Sequence, residues 1–478
     1  MNTAKIELIL SHVEERMRYE LQMLIREFLP FAEFEAEAYD VRIIVSPEGI
    51  RWETAETTEN RPLDPQEFFN ADPLKNRIKS TLFDLLSAYT GYVVPWGTLT
   101  GVRPTKIAWS LLDSGFTPED VSAHMQTAYR LQKDKANLMT KTAVRERSLM
   151  SGRSGMDASI YVGIPFCPTR CAYCSFVSYD HRSYEKLSEA YLEALIKELE
   201  ACAPMIKGRA LRSFYMGGGT PTTLKPEQMD RLLTAIDRTY DLSSFVERTV
   251  EAGRPDTIDP EILNVLKDHG IDRISINPQT MHQKTLDLIG RKHTVEDVIN
   301  AYQLARQAGF DNINMDLILG LPGETVQDVT ETLARVKNLA PDSLTVHTLA
   351  IKRSSYFYQE TGGVDLVSQA PVLKEMIDLS QKAAYGMGLE PYYMYRQKNM
   401  AGNFENVGYS LPGKECLYNI EIMEERQSII AFGAGGVSKI YYPAENRLER
   451  APNVKNVTDY IARVDEMIER KRKELLHE

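Results

Sequence analysis

Three of the chain's five cysteines fall within eight residues, Cys167-Pro-Thr-Arg-Cys171-Ala-Tyr-Cys174, spaced C-x3-C-x2-C. They follow a short apolar strand candidate, Ile160-Tyr-Val-Gly-Ile164. Thiolates hold iron–sulfur clusters, which normally take four cysteines. Three on one tight loop, with no fourth nearby, can bind three irons of a 4Fe-4S cluster and leave one iron open. An open iron can bind the amine and carboxylate of an amino acid, and the cluster can then pass one electron to a sulfonium held against it. Cysteines that serve only as small core residues scatter through a chain instead. An odd count with three clustered also argues against a disulfide framework.

The elements that must position this loop lie between about 158 and 350, where strand and helix candidates alternate. The strands are Ser159–Gly163, Ser213–Met216, Arg248–Ala252, Arg273–Asn277, Asn312–Ile318 and Ser343–Thr348. Between them run helical stretches at Tyr184–Ala203, Pro226–Tyr240, Pro260–His269, Gln283–Leu288, Val295–Ala308 and Val326–Leu339. Six strands with intervening helices predict a parallel α/β sheet with helices outside. Polar and glycine-rich positions gather where the strands end: the cysteine loop, Gly217-Gly-Gly-Thr-Pro221, Glu251-Ala-Gly, Asn277-Pro-Gln279, Gly320-Leu-Pro-Gly323 and His347-Thr-Leu-Ala350. Parallel sheets and barrels bind ligands at these carboxyl ends. Gly217–Gly219 would let backbone approach a ligand closely, because glycine lacks a Cβ.

Residues 1–150 carry no cysteine and read as an α+β accessory domain. Lys5 to Leu29 reads as an amphipathic helix stopped by Pro30. Two strands follow at 39–45 and 50–53, then helices at 74–89 and 105–112, and a helix that starts at Pro118 and runs on through many Lys and Arg. Trp96, in the Gly- and Pro-dense loop Pro95–Pro104, reads as packing against the next domain. Ser151–Gly155 reads as a linker, 156–350 as the core domain, and 351–478 as a C-terminal extension that covers the active site. The extension holds a helix at 372–386, strands at 391–396 and 428–432, Gly433-Ala-Gly-Gly436 and a closing helix from Val457 to Leu475.

The chain is 43% hydrophobic and 26% charged, with net charge -11. That balance suits a globular protein and argues against bulk nucleic-acid or membrane-surface binding. No apolar run approaches the roughly 18 residues a membrane-spanning helix needs, and no secretory signal opens the sequence. The expected setting is the cytoplasm, and the expected state a monomer.

The cysteine loop, with Tyr173 before its last cysteine, the preceding strand and the Gly-Gly-Gly-Thr-Pro segment together resemble the radical S-adenosylmethionine (SAM) superfamily. Tyr161-Val-Gly-Ile-Pro-Phe-Cys167, Gly217–Thr222, Gln279, Arg291, Asp316-Leu-Ile-Leu-Gly-Leu-Pro322 and Gly433-x-Gly-x-x-Ser438 resemble the oxygen-independent coproporphyrinogen III oxidase family. The long N-terminal region and Tyr395-Arg-Gln-Lys-Asn399 look most like its HemZ-type coproporphyrinogen dehydrogenases. The resemblance implies a partial (βα)6 barrel, open on one side to a tetrapyrrole. It makes Cys167, Cys171 and Cys174 the ligands of the 4Fe-4S cluster. Tyr161, Gly218, Glu251 and Val437 would contact a cluster-bound SAM. Tyr173, Gly219, Thr220, Gln279, Arg291, Asp316 and Ala350 would hold a second SAM. The implied reaction is decarboxylation of two propionates of coproporphyrinogen III to vinyls, giving protoporphyrinogen IX, started by a 5'-deoxyadenosyl radical. Its electron donor and acceptor are unidentified.

One departure stands out: the oxidases usually have His where this chain has Gly163. The cations expected near the substrate propionates are Arg103, Arg396 and Lys398, and Tyr392, Tyr393 and Tyr395 are candidates to line a flat pocket. Two other functions compete. Family relatives act as haem chaperones, whose His-Asn-x-x-Tyr-Trp segment is replaced here by Tyr418-Asn-Ile-Glu-Ile-Met423. A different radical reaction on haem, ring opening or methyl transfer, would use the same core.

Overall fold

Runs such as Ile313-Asn-Met-Asp-Leu-Ile-Leu319 carry apolar residues toward both faces, the pattern of a parallel strand inside an α/β layer. The chain buries every residue of that strand except Asp316. The computed structural model describes residues 4–34, 38–69, 72–101, 103–174, 179–350, 370–396 and 404–476. These form two units. One holds the described residues up to Arg147 with 394–396, Phe404 and Glu405; the other holds the rest.

In the first unit, β1 (Ile6–Leu10), α1 (Met17–Phe28), β2 (Val41–Val45), β3 (Gly49–Thr54) and β4 (Thr58–Pro62) precede α2 (Pro73–Thr90), α3 (Thr105–Asp113), α4 (Pro118–Ala128) and α5 (Lys133–Leu149). The four strands pair in chain order, β1 parallel to β2 and the others antiparallel. Leu21, Leu24 and Ile25 of α1 and Ile78, Leu82 and Leu86 of α2 join the core over this sheet.

Three expectations fail here. Lys5 to Leu29 is not one helix, because Ile6 to Leu10 pair with Val41 to Val45 and His12 takes a left-handed φ of 56°. The helix from Pro118 is two, broken where Arg130 turns left-handed and reaches Asp84 and Asp64. Trp96 packs inside its own unit: its Nε1 donates to Glu405 Oε2 at 2.7 Å, and Lys135 Nζ donates to Glu405 Oε1 at 2.6 Å.

The second unit starts with β5 (Ala158–Ile164), α6 (His181–Cys202), β6 (Leu211–Gly218), α7 (Pro226–Tyr240), β7 (Glu247–Glu251), α8 (Pro260–Asp268) and β8 (Arg273–Ser275). It continues through α9 (Gln283–Leu288), α10 (Val295–Gln307), β9 (Ile313–Leu319), α11 (Val326–Leu339) and β10 (Ser343–Thr348). Then come α12 (Ala370–Gly386), β11 (Glu390–Arg396), β12 (Glu405–Ser410), α13 (Leu417–Glu424), β13 (Ser428–Phe432), β14 (Val437–Tyr442), β15 (Arg447–Pro452), α14 (Val457–Ala462) and α15 (Val464–Leu475). The strands form one 11-stranded sheet in the order β11-β12-β10-β9-β8-β7-β6-β5-β13-β14-β15.

Strands β5 to β10 run parallel in chain order with a helix in every connection. Among the described strands the two ends of the sheet do not pair with each other. The fold is therefore α/β, a partial (βα)6 barrel with an N-terminal α+β region and a C-terminal extension. Capping boxes at Thr294 with Asp297 and at Thr325 with Asp328 start α10 and α11, aiming each helix back over the sheet. The closing helix is two, α14 and α15, and the hairpin β14–β15 was not foreseen. Among the described residues no helix is long and apolar enough to cross a membrane.

Candidate functional site

The cysteine loop is pinned at several backbone points. Cys167 N donates to Tyr179 O at 3.0 Å, Ala172 N to Ile289 O at 3.0 Å and Cys174 N to Cys171 O at 3.1 Å. The glycine run after β6 locks onto the same loop: Gly219 N donates to Ile164 O at 2.8 Å and Thr220 N to Phe166 O at 2.7 Å. This approach needs glycine, since a Cβ at Gly219 would sit 2.6 Å from Phe166 O. Thr220 Oγ1 lies 3.5 Å from Cys167 Sγ.

All three thiols are unbridged. Burial pushes the Cys167 thiol above its usual range; the Thr220 hydrogen bond opposes this, and the other two cysteines reinforce it. A coordinated metal deprotonates such a thiol outright. No three His, Cys, Asp or Glu side chains among the described residues close round a single metal ion. A cluster does not ask for that, because each thiolate goes to a different iron. The donor set therefore fits a 4Fe-4S cluster better than a mononuclear metal.

Tyr161, Gly218, Glu251 and Val437, drawn from β5, β6, β7 and β14, line one cavity of about 480 Å³, together with Gly163, Tyr215 and Tyr418. Tyr215 and Tyr418 stack with ring centroids 4.4 Å apart, and Tyr161 stands 5.9 Å from Tyr418 at an interplanar angle of 20°. Tyr215 OH donates to Glu251 Oε1 at 2.5 Å. Burial raises the Glu251 carboxyl to about 7; Tyr215 opposes the shift, Asp316 adds to it, and the Gly218 N–H opposes it.

Of the other predicted cofactor residues, Gly219 and Thr220 lie against the cysteine loop, and Gln279, Arg291 and Asp316 gather around β8 and β9. Arg291 lies close to Tyr173 and Cys171 and donates to Gly253 O at 3.4 Å and to Asn277 O. Burial works against the Arg291 cation, but Tyr173 and Cys171 beside it more than offset this. Gln279 has a left-handed φ of 66°, and its backbone N donates to Asp316 O at 2.9 Å. Asp316 accepts from Asn314 Nδ2 at 2.7 Å and faces His347 Nε2 at 3.7 Å. Burial would raise its pKa, but His347, Asn314 and Thr345 hold it below the usual range. Ala350 lies just beyond β10, partly buried. Ser275 Oγ, Asn277 Oδ1, Gln279 Oε1 and Arg291 Nε are all buried with no hydrogen-bond partner among the described residues. Four orphaned polar atoms at the carboxyl end of one strand fit a polar ligand that would satisfy them.

The predicted substrate cations fare differently. Arg396 is buried, donates to Leu99 O, pairs with Glu27 at 3.6 Å and lies over the Trp96 ring. Arg103 lines a separate cavity of about 550 Å³ in the first unit, with Lys75 and Lys79. Lys398 lies outside the described residues. Tyr392 and Tyr393 are buried, Tyr392 OH accepting from Asn419 Nδ2 at 3.1 Å, and Tyr395 is partly buried.

Two residues beside the cysteine loop escaped notice. Arg254, buried, donates to Cys171 Sγ and Thr169 Oγ1. His293, also buried, is kept neutral: burial, then Arg291 and Arg254, lower its pKa to about 4. Arg254's only sequence signal was position, just past a strand end already rich in polar residues; His293, in the loop between α9 and α10, had only its nearness in sequence to Arg291.

The family model of the radical SAM superfamily matches residues 161–336. The chain is 42% identical over 407 residues to the oxygen-independent coproporphyrinogen-III oxidase-like protein HemZ of Bacillus subtilis, covering 84% of this chain and 81% of that one. It is 31% identical over 322 residues to the heme chaperone HemW of Lactococcus lactis, covering 65% of this chain and 79% of that one. In structure it matches the coproporphyrinogen III oxidase HemN of Escherichia coli with a TM-score of 0.54 at 23% identity, over 68% of this chain and 73% of that one. The chain belongs to the radical SAM superfamily, in the family of the HemZ-type oxygen-independent coproporphyrinogen III oxidase-like proteins.

Proposed function

We propose that the protein carries out the oxygen-independent oxidative decarboxylation of coproporphyrinogen III to protoporphyrinogen IX. Membership of the superfamily implies a 4Fe-4S cluster and SAM. When bound, they supply one-electron cleavage of a sulfonium and, through it, abstraction of a hydrogen atom from substrate. Cys167, Cys171 and Cys174 hold the cluster. Tyr161, Gly218, Glu251 and Val437 hold SAM, with Glu251 accepting hydroxyl or amine hydrogens. Tyr173, Gly219, Thr220, Gln279, Arg291, Asp316 and Ala350 hold a second SAM, for which Arg291 offers a carboxylate partner. Each of two propionates gives up a hydrogen atom, carbon dioxide and one electron, the last to an acceptor still unidentified. The stacked tyrosines help keep water from the reacting centre.

The observation that supports this reading is the convergence of residues from four strands on one cavity beside the cysteine loop. Anaerobic turnover of the reconstituted protein with reductant, SAM and coproporphyrinogen III should yield protoporphyrinogen IX, with methionine released for each vinyl formed. Methionine released with haem, and none with coproporphyrinogen, sinks the proposal. The HemW relatives favour a second reading, haem binding and delivery. Stoichiometric haem capture and transfer to an acceptor protein, with no product from coproporphyrinogen, would select it.

A further inference from the structure

Glu198 of α6 is a fully buried carboxylate with four donors around it. Lys471 Nζ donates to Oε1 at 2.6 Å and Asn453 Nδ2 to the same oxygen at 2.8 Å. Tyr460 OH donates to Oε2 at 2.6 Å and the backbone N–H of Gly433 at 2.9 Å. Lys471 Nζ also donates to Asn453 Oδ1 at 2.8 Å and stands 5.6 Å from the centroid of the Phe432 ring. Both side chains of the ion pair have 0% exposure. Five segments meet here: α6, the loop after β13, the end of β15, α14 and α15.

A buried ion pair is a poor way to add stability, since desolvation costs several kcal/mol per ion and apolar residues of similar size often serve as well. What it fixes is orientation, because a carboxylate with its lone pairs occupied has one setting. The group it orients is the loop Gly433–Gly436. Gly433 has φ 92°, and a Cβ there would sit 2.5 Å from both Gly163 O and Tyr191 OH. Asn453 Nδ2 donates to Gly433 O at 2.8 Å and Asn453 N to Gly436 O at 2.8 Å. Tyr191 OH donates to Gly163 O at 2.6 Å and accepts from Ala434 N at 3.1 Å, tying the loop to β5. The opposite side of the loop, Ala434 to Val437, and Gly163 itself form part of the wall of the 480 Å³ cavity.

We infer that the Glu198–Lys471 pair is a positioning device for SAM. It latches the glycine loop from behind, through α15, so that the wall of the cavity is formed before the cofactor arrives. The inference rests on the reading that this cavity takes SAM. Both residues are positioning residues, acting only through the Gly433 loop and the network behind it.

The test is equilibrium binding of SAM to the anaerobic, cluster-reconstituted full chain, well below its melting temperature. Glu198→Gln and Lys471→Met should each weaken SAM on the order of 10-fold, as loss of outer-shell partners does at metal sites. Iron content and the cluster's electron paramagnetic resonance signal without SAM should not change, and the SAM-induced change in that signal should need correspondingly more SAM. A lower melting temperature with unaltered SAM affinity overturns the inference, since a merely structural pair would do just that. If Lys471→Met does not fold, Tyr460→Phe removes one hydrogen bond from Glu198 and keeps the ring, and unaltered affinity there overturns it equally. Val437→Trp, which fills the cavity, separates the two failures. If it binds SAM like the parent, the cavity reading falls. If it loses SAM while the Glu198 and Lys471 variants keep it, the latch alone falls.

Discussion

Arg254 places its Nη1 3.7 Å from Cys171 Sγ while its Nη2 donates to Thr169 Oγ1 at 3.0 Å, so one buried guanidinium both braces the cysteine loop and faces one of its thiols. A cation donating to a cluster sulfur favours the reduced, more negative cluster. Arg254→Met should therefore shift the cluster's reduction potential downward, by roughly 59 mV for each tenfold change in the one-electron equilibrium. Arg254→Lys, which keeps the charge but not the fork, should fall between. A potentiometric titration followed by electron paramagnetic resonance checks this; an unmoved potential in Arg254→Met refutes it.

Cluster assembly should depend on the loop cysteines and not on the rest. Cys171→Ala should abolish the cluster absorbance after reconstitution. Cys202, the last residue of α6, is fully buried beside Glu198 and Lys471 rather than on the cysteine loop. Cys202→Ala should retain the absorbance. If Cys171→Ala keeps it, the ligand assignment is wrong.

Glu251 gives a pH dependence whose sign follows from its burial. Its folded pKa is about 7 against an ordinary 4.5. Between those values only the folded protein holds the proton, so stability is greatest below about 4.5 and declines as pH rises through 7. Glu251→Gln cannot lose that proton. In the cofactor-free protein the variant should match the parent near pH 5 and exceed it at pH 8, by about 1–3 kcal/mol. Chemical denaturation at the two pH values measures it, and a parent that outlasts the variant at pH 8 contradicts the assignment.

How far the site was readable follows from what kind of signal each part sends. Strand β10 and helices α7, α9 and α11 run to the residues expected, because continuous apolar or amphipathic runs there meet a boundary residue such as Pro226, Gly290, Thr325 or Pro341 at one or both ends. Strand β1 was read as helix because Ile6, Ile9, Leu10 and Val13 fall at helical spacing and lead into Met17 and Leu21. Only pairing with Val41 to Val45, far along the chain, decides the matter. Hairpin β14–β15 hid because Arg447, Glu449 and Arg450 break up its apolar pattern. Arg254, Arg396 and Glu198 look in sequence like solvated charges; tertiary packing alone buries them. Chemistry-bearing loops announce themselves by residue type, whereas the buried charges that brace them do not.

Gly163 and Gly433 meet across the edge of the cavity, yet they should respond to the same substitution in opposite ways. At Gly163 a Cβ would find its nearest neighbours, Phe432 O and the Tyr161 ring, at 3.4 Å, close to ordinary contact. At Gly433 the φ of 92° disfavours any side chain, and a Cβ would fall 2.5 Å from Gly163 O, a backbone atom that cannot step aside. Gly163→Ala should cost less than about 1 kcal/mol, whereas Gly433→Ala should cost about 3 kcal/mol or more, combining backbone strain with a core clash. Because Gly163 lines the cavity, Gly163→His should still fold but weaken SAM, its ring taking room that this chain leaves open. Thermal unfolding and SAM binding on the three variants give the answer. Equal destabilisation by the two alanines would mean that the loop is not held against β5 as the hydrogen bonds of Tyr191 and Glu198 require.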